Sequence, residues 1–253
     1  MIRGYFDESY RDKRVYAIGG YIGRSKDWTV ASRLWKNRRL QDKIQCFHAA
    51  DCESGFEEFK HLSKEVRIQL KADLIQIVHG CQNLGGFGSA VIIEDFYKVR
   101  DSSERARQVL GTDPYFLCFQ MLLSGICIEF EEQQANPYMS IAFVFEEQEE
   151  FSGRTKALYD EFKEVNKKCA QRLGTLTYAA KHKFVPLEVA DNLAYETMKE
   201  ILNNRYDPTR PRRIAMQKML PRVRRIDLMA EEELRNLVLL GRIGKDYKQK
   251  HAS

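Results

Sequence analysis

Residues 184–202 read FVPLEVADNLAYETMKEIL. Leu187, Ala190, Ala194, Met198 and Ile201 recur at the i, i+3, i+4, i+7 spacing of a buried helical face. Asp191 falls on that same apolar stripe. A carboxylate is buried only where an ion pair, hydrogen bonds or a metal compensates it. The helix must therefore pack where the rest of the chain supplies a partner. A lysine such as Lys181 or Lys183 is one candidate, and a site shared with other acids is another.

Two further acids break apolar patterns. Asp7 closes the strand in GYFDES, and Glu146 closes the strand in IAFVFEE. Carboxylates at the ends of neighbouring strands lie side by side, and a helix packed on that sheet can add Asp191. Hard cations such as Mg²⁺ and Mn²⁺ are held by oxygen clusters of this kind. Such ions stabilise the attacking and leaving oxygens of a phosphodiester. Without a cation the acids repel one another and their pKa values rise. Plainer readings exist for each acid. Asp7 precedes a turn, Glu146 opens the acidic run EEQEE, and Asp191 has lysines near in sequence. One shared site accounts for all three.

Around these acids the chain reads as strands mixed with crossover helices. Ile2–Phe6 and Arg14–Ile22 form a hairpin across the polar turn SYRDKR, and Gly19 and Gly20 mark a bulge or a close backbone approach. Lys26–Leu40 is helical, and Ser54 with Glu57 has the spacing of a capping box opening the next helix. Leu84–Phe96 reads as one buried strand whose glycines do not match a phosphate-cradling spacing. Pro114–Glu131 is an apolar helix, Ser140–Glu146 a strand, Phe151–Leu173 a charged helix and Gly174–Ala179 a strand. The order predicts an α/β protein with a mixed sheet flanked by helices. A domain over residues 1–205 is followed by a basic C-terminal extension, 206–253, with one short helix near Glu231–Leu240.

The chain has 253 residues, 43% hydrophobic and 30% charged, as expected of a globular protein. No apolar run approaches the roughly 20 residues of a membrane span, and MIRGYFDESY lacks the features of a secretory signal. A cytoplasmic location without a membrane partner is expected. The six cysteines show no CxxC pair, which argues against a structural zinc site. The net charge is +5, but residues 207–253 hold 12 Lys and Arg against 6 Asp and Glu, a net +6. Arg210, Arg212, Arg213, Arg222, Arg224 and Arg225 fall in a stretch without acids. Such a block can contact nucleic-acid phosphates, lie solvated, or pair with acids of the main body.

Four pieces, GYFDES, FHAAD (47–51), FVFEE (143–147) and PLEVADNLAY (186–195), resemble in order the bacterial domain-of-unknown-function family numbered 3800. The resemblance implies an RNase H-like fold with clustered acids at Asp7, Glu146 and Asp191. It makes Glu8, Asp51 and Glu147 possible supporting metal ligands. His48 becomes a candidate proton carrier beside its plainer reading as a hydrogen-bonded core histidine. The chain departs from the family pattern in four places. Tyr10 stands where Gly is usual, Glu146 where Asp is usual, Glu188 where Gln is usual, and YAAKHKF (178–184) is basic where an acid or serine is common.

Two functions of different classes follow. One is a Mg²⁺- or Mn²⁺-dependent phosphodiesterase acting on DNA or RNA, with the basic extension against the backbone. The other is a non-catalytic RNase H-like module that binds nucleic acid or a partner protein in a defence or mobile-element system, which the departures favour.

Overall fold

A computed structural model describes residues 1–11, 14–133, 139–147 and 152–241. Strands β1 (Ile2–Arg11) and β2 (Val15–Arg24) form the expected antiparallel hairpin, with Asp7 opposite Gly19. Helices α1 (Ser25–Gln41), α2 (Ala49–Ser54) and α3 (Lys64–Gly80) lead to β3 (Gly85–Ile92), antiparallel to β2. Then come α4 (Ile93–Arg100), α5 (Glu104–Leu110), α6 (Pro114–Glu132) and β4 (Ile141–Glu146), which is parallel to β1. Next, α7 (Ser152–Val165) and α8 (Lys167–Ala170) precede β5 (Leu173–Ala179), parallel to β4. A 3-10 turn, Lys181–Lys183, opens into the long α9 (Val185–Tyr206). The chain then forms α10 (Ile214–Met219), β6 (Val223–Met229), parallel to β3, and α11 (Glu231–Leu240). The six-stranded mixed sheet runs β5-β4-β1-β2-β3-β6. This is the α/β architecture expected, and it is consistent with an RNase H-like fold.

Alternation along β1 assigns its two faces. Tyr5 packs with Trp28, Trp35, Leu74, Leu187 and Leu193 under α1, α3 and α9. Phe6 packs with Phe119, Leu122, Phe143 and Phe145 under α6. Asp7 therefore turns to the α9 face, as Tyr5 does. On that face α9 lies directly on β2. A Cβ added to Gly19 would sit 2.6 Å from the Ala194 nitrogen, so Gly19 marks the close backbone approach that was one reading of it. On the other face α6 begins with Pro114 in its first turn, and the Asp113 carboxylate accepts the Tyr115 N–H at 2.8 Å.

Several boundaries differ from the sequence reading. Leu84–Phe96 is not one strand: β3 ends at Ile92 and Phe96 belongs to α4. The apolar run crosses the junction because Ile92 and Ile93 are both buried, and the sign of the helix is the pair Glu94 and Asp95 in its first turn. Ser54 does not cap the following helix. It ends α2, donating its hydroxyl hydrogen to the Ala50 carbonyl at 2.9 Å, and Ser63 caps α3 instead. The basic extension contributes an edge strand, β6, in which Asp227 and Met229 are buried while alternate positions face out. The charged helix after β4 is broken at Asn166 into α7 and α8. Asp12 and Lys13 of the hairpin turn, residues 148–151 of the acidic run and the next helix, and 242–253 of the extension lie outside the described residues. Among the described residues no disulfide forms, and no single helix is long and apolar enough to cross a membrane.

Candidate functional site

The parallel register of β1 and β4 sets Phe6 beside Phe145, so the next residues, Asp7 and Glu146, emerge together. From above, α9 adds Asp191. The three carboxylates converge on the ammonium of Lys181: its Nζ lies 2.7 Å from Asp7 Oδ2, 3.0 Å from Glu146 Oε2 and 3.1 Å from Asp191 Oδ1. Lys181 comes from the basic stretch before α9 and is only 8% exposed. Burial alone would favour loss of its proton, but the charges of Asp191, Asp7 and Glu146 outweigh burial and hold it as an ammonium.

The loop before α2 closes the site from a third side. Asp191 Oδ2 accepts the Ala49 N–H at 2.6 Å. One turn earlier on α9, buried Glu188 accepts the Phe47 N–H at 3.1 Å and the Trp35 indole N–H at 2.9 Å. Its Oε2 also lies 2.9 Å from Nε of buried Arg39. The departure from Gln at this position thus has a cationic partner. Between these anchored residues His48 is half exposed, with Nδ1 3.3 Å from Asp51 Oδ2 and Nε2 3.9 Å from Asp191 Oδ1.

A cleft of about 560 Å³ opens onto this cluster and is lined by Glu8, Tyr10, His48, Asp51, Glu146 and Asp191, among others. Burial, then the charge of Glu146, pushes the Glu8 carboxyl up to about 8 against the pull of Lys181. Asp7 is raised as well, by burial first and by Glu146 and Asp191, although Lys181 opposes the shift. An unfolded chain releases the Glu8 proton near 4.5, whereas the folded chain keeps it to about 8. The folded state therefore binds more protons across that window, and its stability falls as pH rises through it. Melting curves from about pH 5 to 8 should show this decline, and Glu8→Gln should flatten it. Identical slopes in the two proteins would contradict the assignment.

Of the residues anticipated from the sequence, Asp7, Glu146 and Asp191 meet at one point, and Glu8, His48 and Asp51 stand on the cleft wall. Glu147 is exposed and does not line the cleft. The six arginines divide. Arg222, Arg224 and Arg225 lie on or beside β6, three strands from β1. Arg222 donates to the His79 carbonyl, and Arg225 pairs with Asp227 at 2.8 Å. Arg212 pairs with Glu200 at 2.7 Å, and Arg213 with Glu196 at 2.8 Å and with Glu53. Arg210, Arg212 and Arg213 line a second cleft of about 540 Å³, with Lys64, Arg67, Lys71 and Lys218. Glu53 lines both clefts. Among the described residues, the Lys64, Arg67, Arg210 and Lys218 side chains that line this cleft form no ion pair. Sequence reasoning did not single out Lys181 as the centre of the site, or Lys64 and Arg67 as partners of the extension. The basic character of YAAKHKF was the available signal for the first.

Three carboxylate oxygens from three elements are the donor set that Mg²⁺ or Mn²⁺ takes. The spacing, however, is that of an ammonium, and among the described residues no three His, Cys, Asp or Glu side chains stand in metal-ligating geometry. The donors fit a divalent cation in kind, and Lys181 holds the point where it would sit. In comparisons with known proteins, no family model matches the chain and no curated protein matches its sequence.

Proposed function

We propose that the protein is a divalent-metal-dependent phosphodiesterase acting on nucleic acid. The observation that carries this reading is the convergence of Asp7, Glu146 and Asp191 within 3.1 Å of one point at the floor of an open cleft. These three residues would hold Mg²⁺ or Mn²⁺, with Glu8 and Asp51 in support. When bound, the ion supplies Lewis-acid stabilisation of charge on a phosphoryl group. The chain supplies the rest. The Ala49 N–H orients Asp191, and Asp51 faces one ring nitrogen of His48. The other nitrogen is then placed at the cleft to hold or pass a proton. Tyr10 stacks on Tyr16 with centroids 5.8 Å apart and is 66% exposed at the cleft, a platform on which a base can stack. The adjoining cleft, with Lys64, Arg67, Arg210 and Lys218, suits a sugar–phosphate backbone.

The test is cleavage of labelled single- and double-stranded DNA and RNA with Mn²⁺. Asp7→Asn should lower any cleavage by about a hundredfold or more, the several kcal/mol of metal-assisted charge stabilisation, with an unchanged circular dichroism spectrum. In the same samples, Lys64→Glu, Arg210→Glu and Lys218→Glu together should reduce the salt slope of binding by about three contacts. Wild-type cleavage by Asp7→Asn would end the catalytic reading.

One observation favours the second reading, a non-catalytic module that binds nucleic acid or a partner protein. Lys181 already neutralises the cluster as a metal would. That reading expects nucleic-acid or partner binding indifferent to Asp7→Asn and to divalent ions.

A further inference from the structure

We infer that Lys181 is a resident counter-ion which a divalent metal must displace, so that this side chain sets the metal affinity of the carboxylate cluster. The inference rests on the reading of that cluster as a cation site. Its ammonium lies 2.7, 3.0 and 3.1 Å from Asp7, Glu146 and Asp191. Mg²⁺ sits about 2.0–2.1 Å from its oxygen ligands. Both cations therefore need the same few ångströms of space, and each repels the other. Either one alone compensates the cluster, so the two are alternatives.

The position of Lys181 allows the exchange. Its backbone is fixed by the 3-10 turn, where the Phe184 N–H donates to the Lys181 carbonyl at 3.0 Å. Its side chain is a flexible four-carbon stem and already lines the 560 Å³ cleft. The ammonium can swing into that cleft by rotamer changes while the turn stays in place. Asp191 and Glu188 remain tied to the Ala49 and Phe47 amides as it leaves. Once the ammonium leaves, Asp7, Glu146 and Asp191 face one another with no cation between them, which leaves the vacated point attractive to a dication. A lysine seated at this point most of the time reduces apparent metal affinity by the fraction of time the point is open.

The 253-residue chain should be titrated with Mn²⁺ by calorimetry as wild type, Lys181→Met and the Lys181→Met/Asp191→Asn double variant. The expected result is binding roughly tenfold tighter, or more, in Lys181→Met than in wild type, and its loss in the double variant. Equal affinities in wild type and Lys181→Met would overturn the inference and leave the cation site standing. No binding to either would overturn both. If Lys181→Met does not fold, the wild type carries the test alone. Acetylation of Lys181 by a small amine-reactive ester, followed by peptide mass spectrometry, should be several-fold faster with saturating Mn²⁺, because the displaced amine leaves its buried seat. Labelling that Mn²⁺ does not change would also overturn the inference.

Discussion

Asp191→Asn should weaken Mn²⁺ binding by about a hundredfold or more, since even an outer-shell partner is worth 10–100-fold in metal affinity. The effect should appear both in the wild type and in Lys181→Met. Of the three carboxylates, this one reports most cleanly. The asparagine oxygen can still accept the Ala49 N–H that now meets Asp191 Oδ2 at 2.6 Å, so the loop before α2 stays in place. What disappears is the charge 3.1 Å from the lysine nitrogen. The measurement is calorimetric titration with melting temperature as the control for folding. A variant that binds Mn²⁺ as the parent does would remove Asp191 from the proposed cation site.

The largest stability effect should come from Glu188→Ala, at about 3–5 kcal/mol, the usual result of leaving a buried charge without its partner. Glu188 is fully buried and serves three groups: the Trp35 indole, the Phe47 amide and the Arg39 guanidinium. Truncation would leave Arg39, 4% exposed, donating to the Ile44 carbonyl at 2.8 Å with no carboxylate beside it. Glu188→Gln keeps an acceptor for the indole and the amide and should cost less. Urea denaturation at neutral pH compares the two variants with wild type. Equal midpoints for Glu188→Ala and wild type would show that the site relaxes around the loss. Because the Phe47 amide precedes His48, the alanine variant should also release the loop that aims the imidazole into the cleft.

These residues show how far the sequence could be read. Asp191 was legible because helical periodicity fixes a face and a carboxylate on an apolar face needs a partner. Glu146 was legible because it ends an apolar strand, and Asp7 because it ends an apolar run, although β1 does not stop there as expected but continues through the polar ESYR to Arg11, paired with β2. Lys181 was visible only as one of several candidate partners for Asp191, since periodicity does not report which lysine turns inward after a 3-10 turn. Strand β6 was hidden for a related reason. VRRIDLM pairs on one side only and carries charge on its open face, a pattern close to that of a solvated segment. The pairing of arginines with acids of the main body was one of the stated alternatives for the basic block, and it holds for Arg212 and Arg213, whereas Arg225 pairs with Asp227 of the extension itself.

The contact between Gly19 and Ala194 sets how far α9 stands from β2. Gly19 lies opposite Asp7 in the hairpin, and Ala194 is three residues beyond Asp191 on α9. The span between the two aspartates is therefore gauged by a methyl group that is missing from the strand, and neither aspartate sets it alone. A side chain at position 19 would lift the helix and widen that span with every acid still in place. A wider ring of oxygens matches the 2.3–2.6 Å ligand distances of Ca²⁺ better than the shorter ones of Mg²⁺. In the proposed cation site, the choice between a small and a large ion would therefore be set by the sheet–helix spacing, at a residue that touches neither.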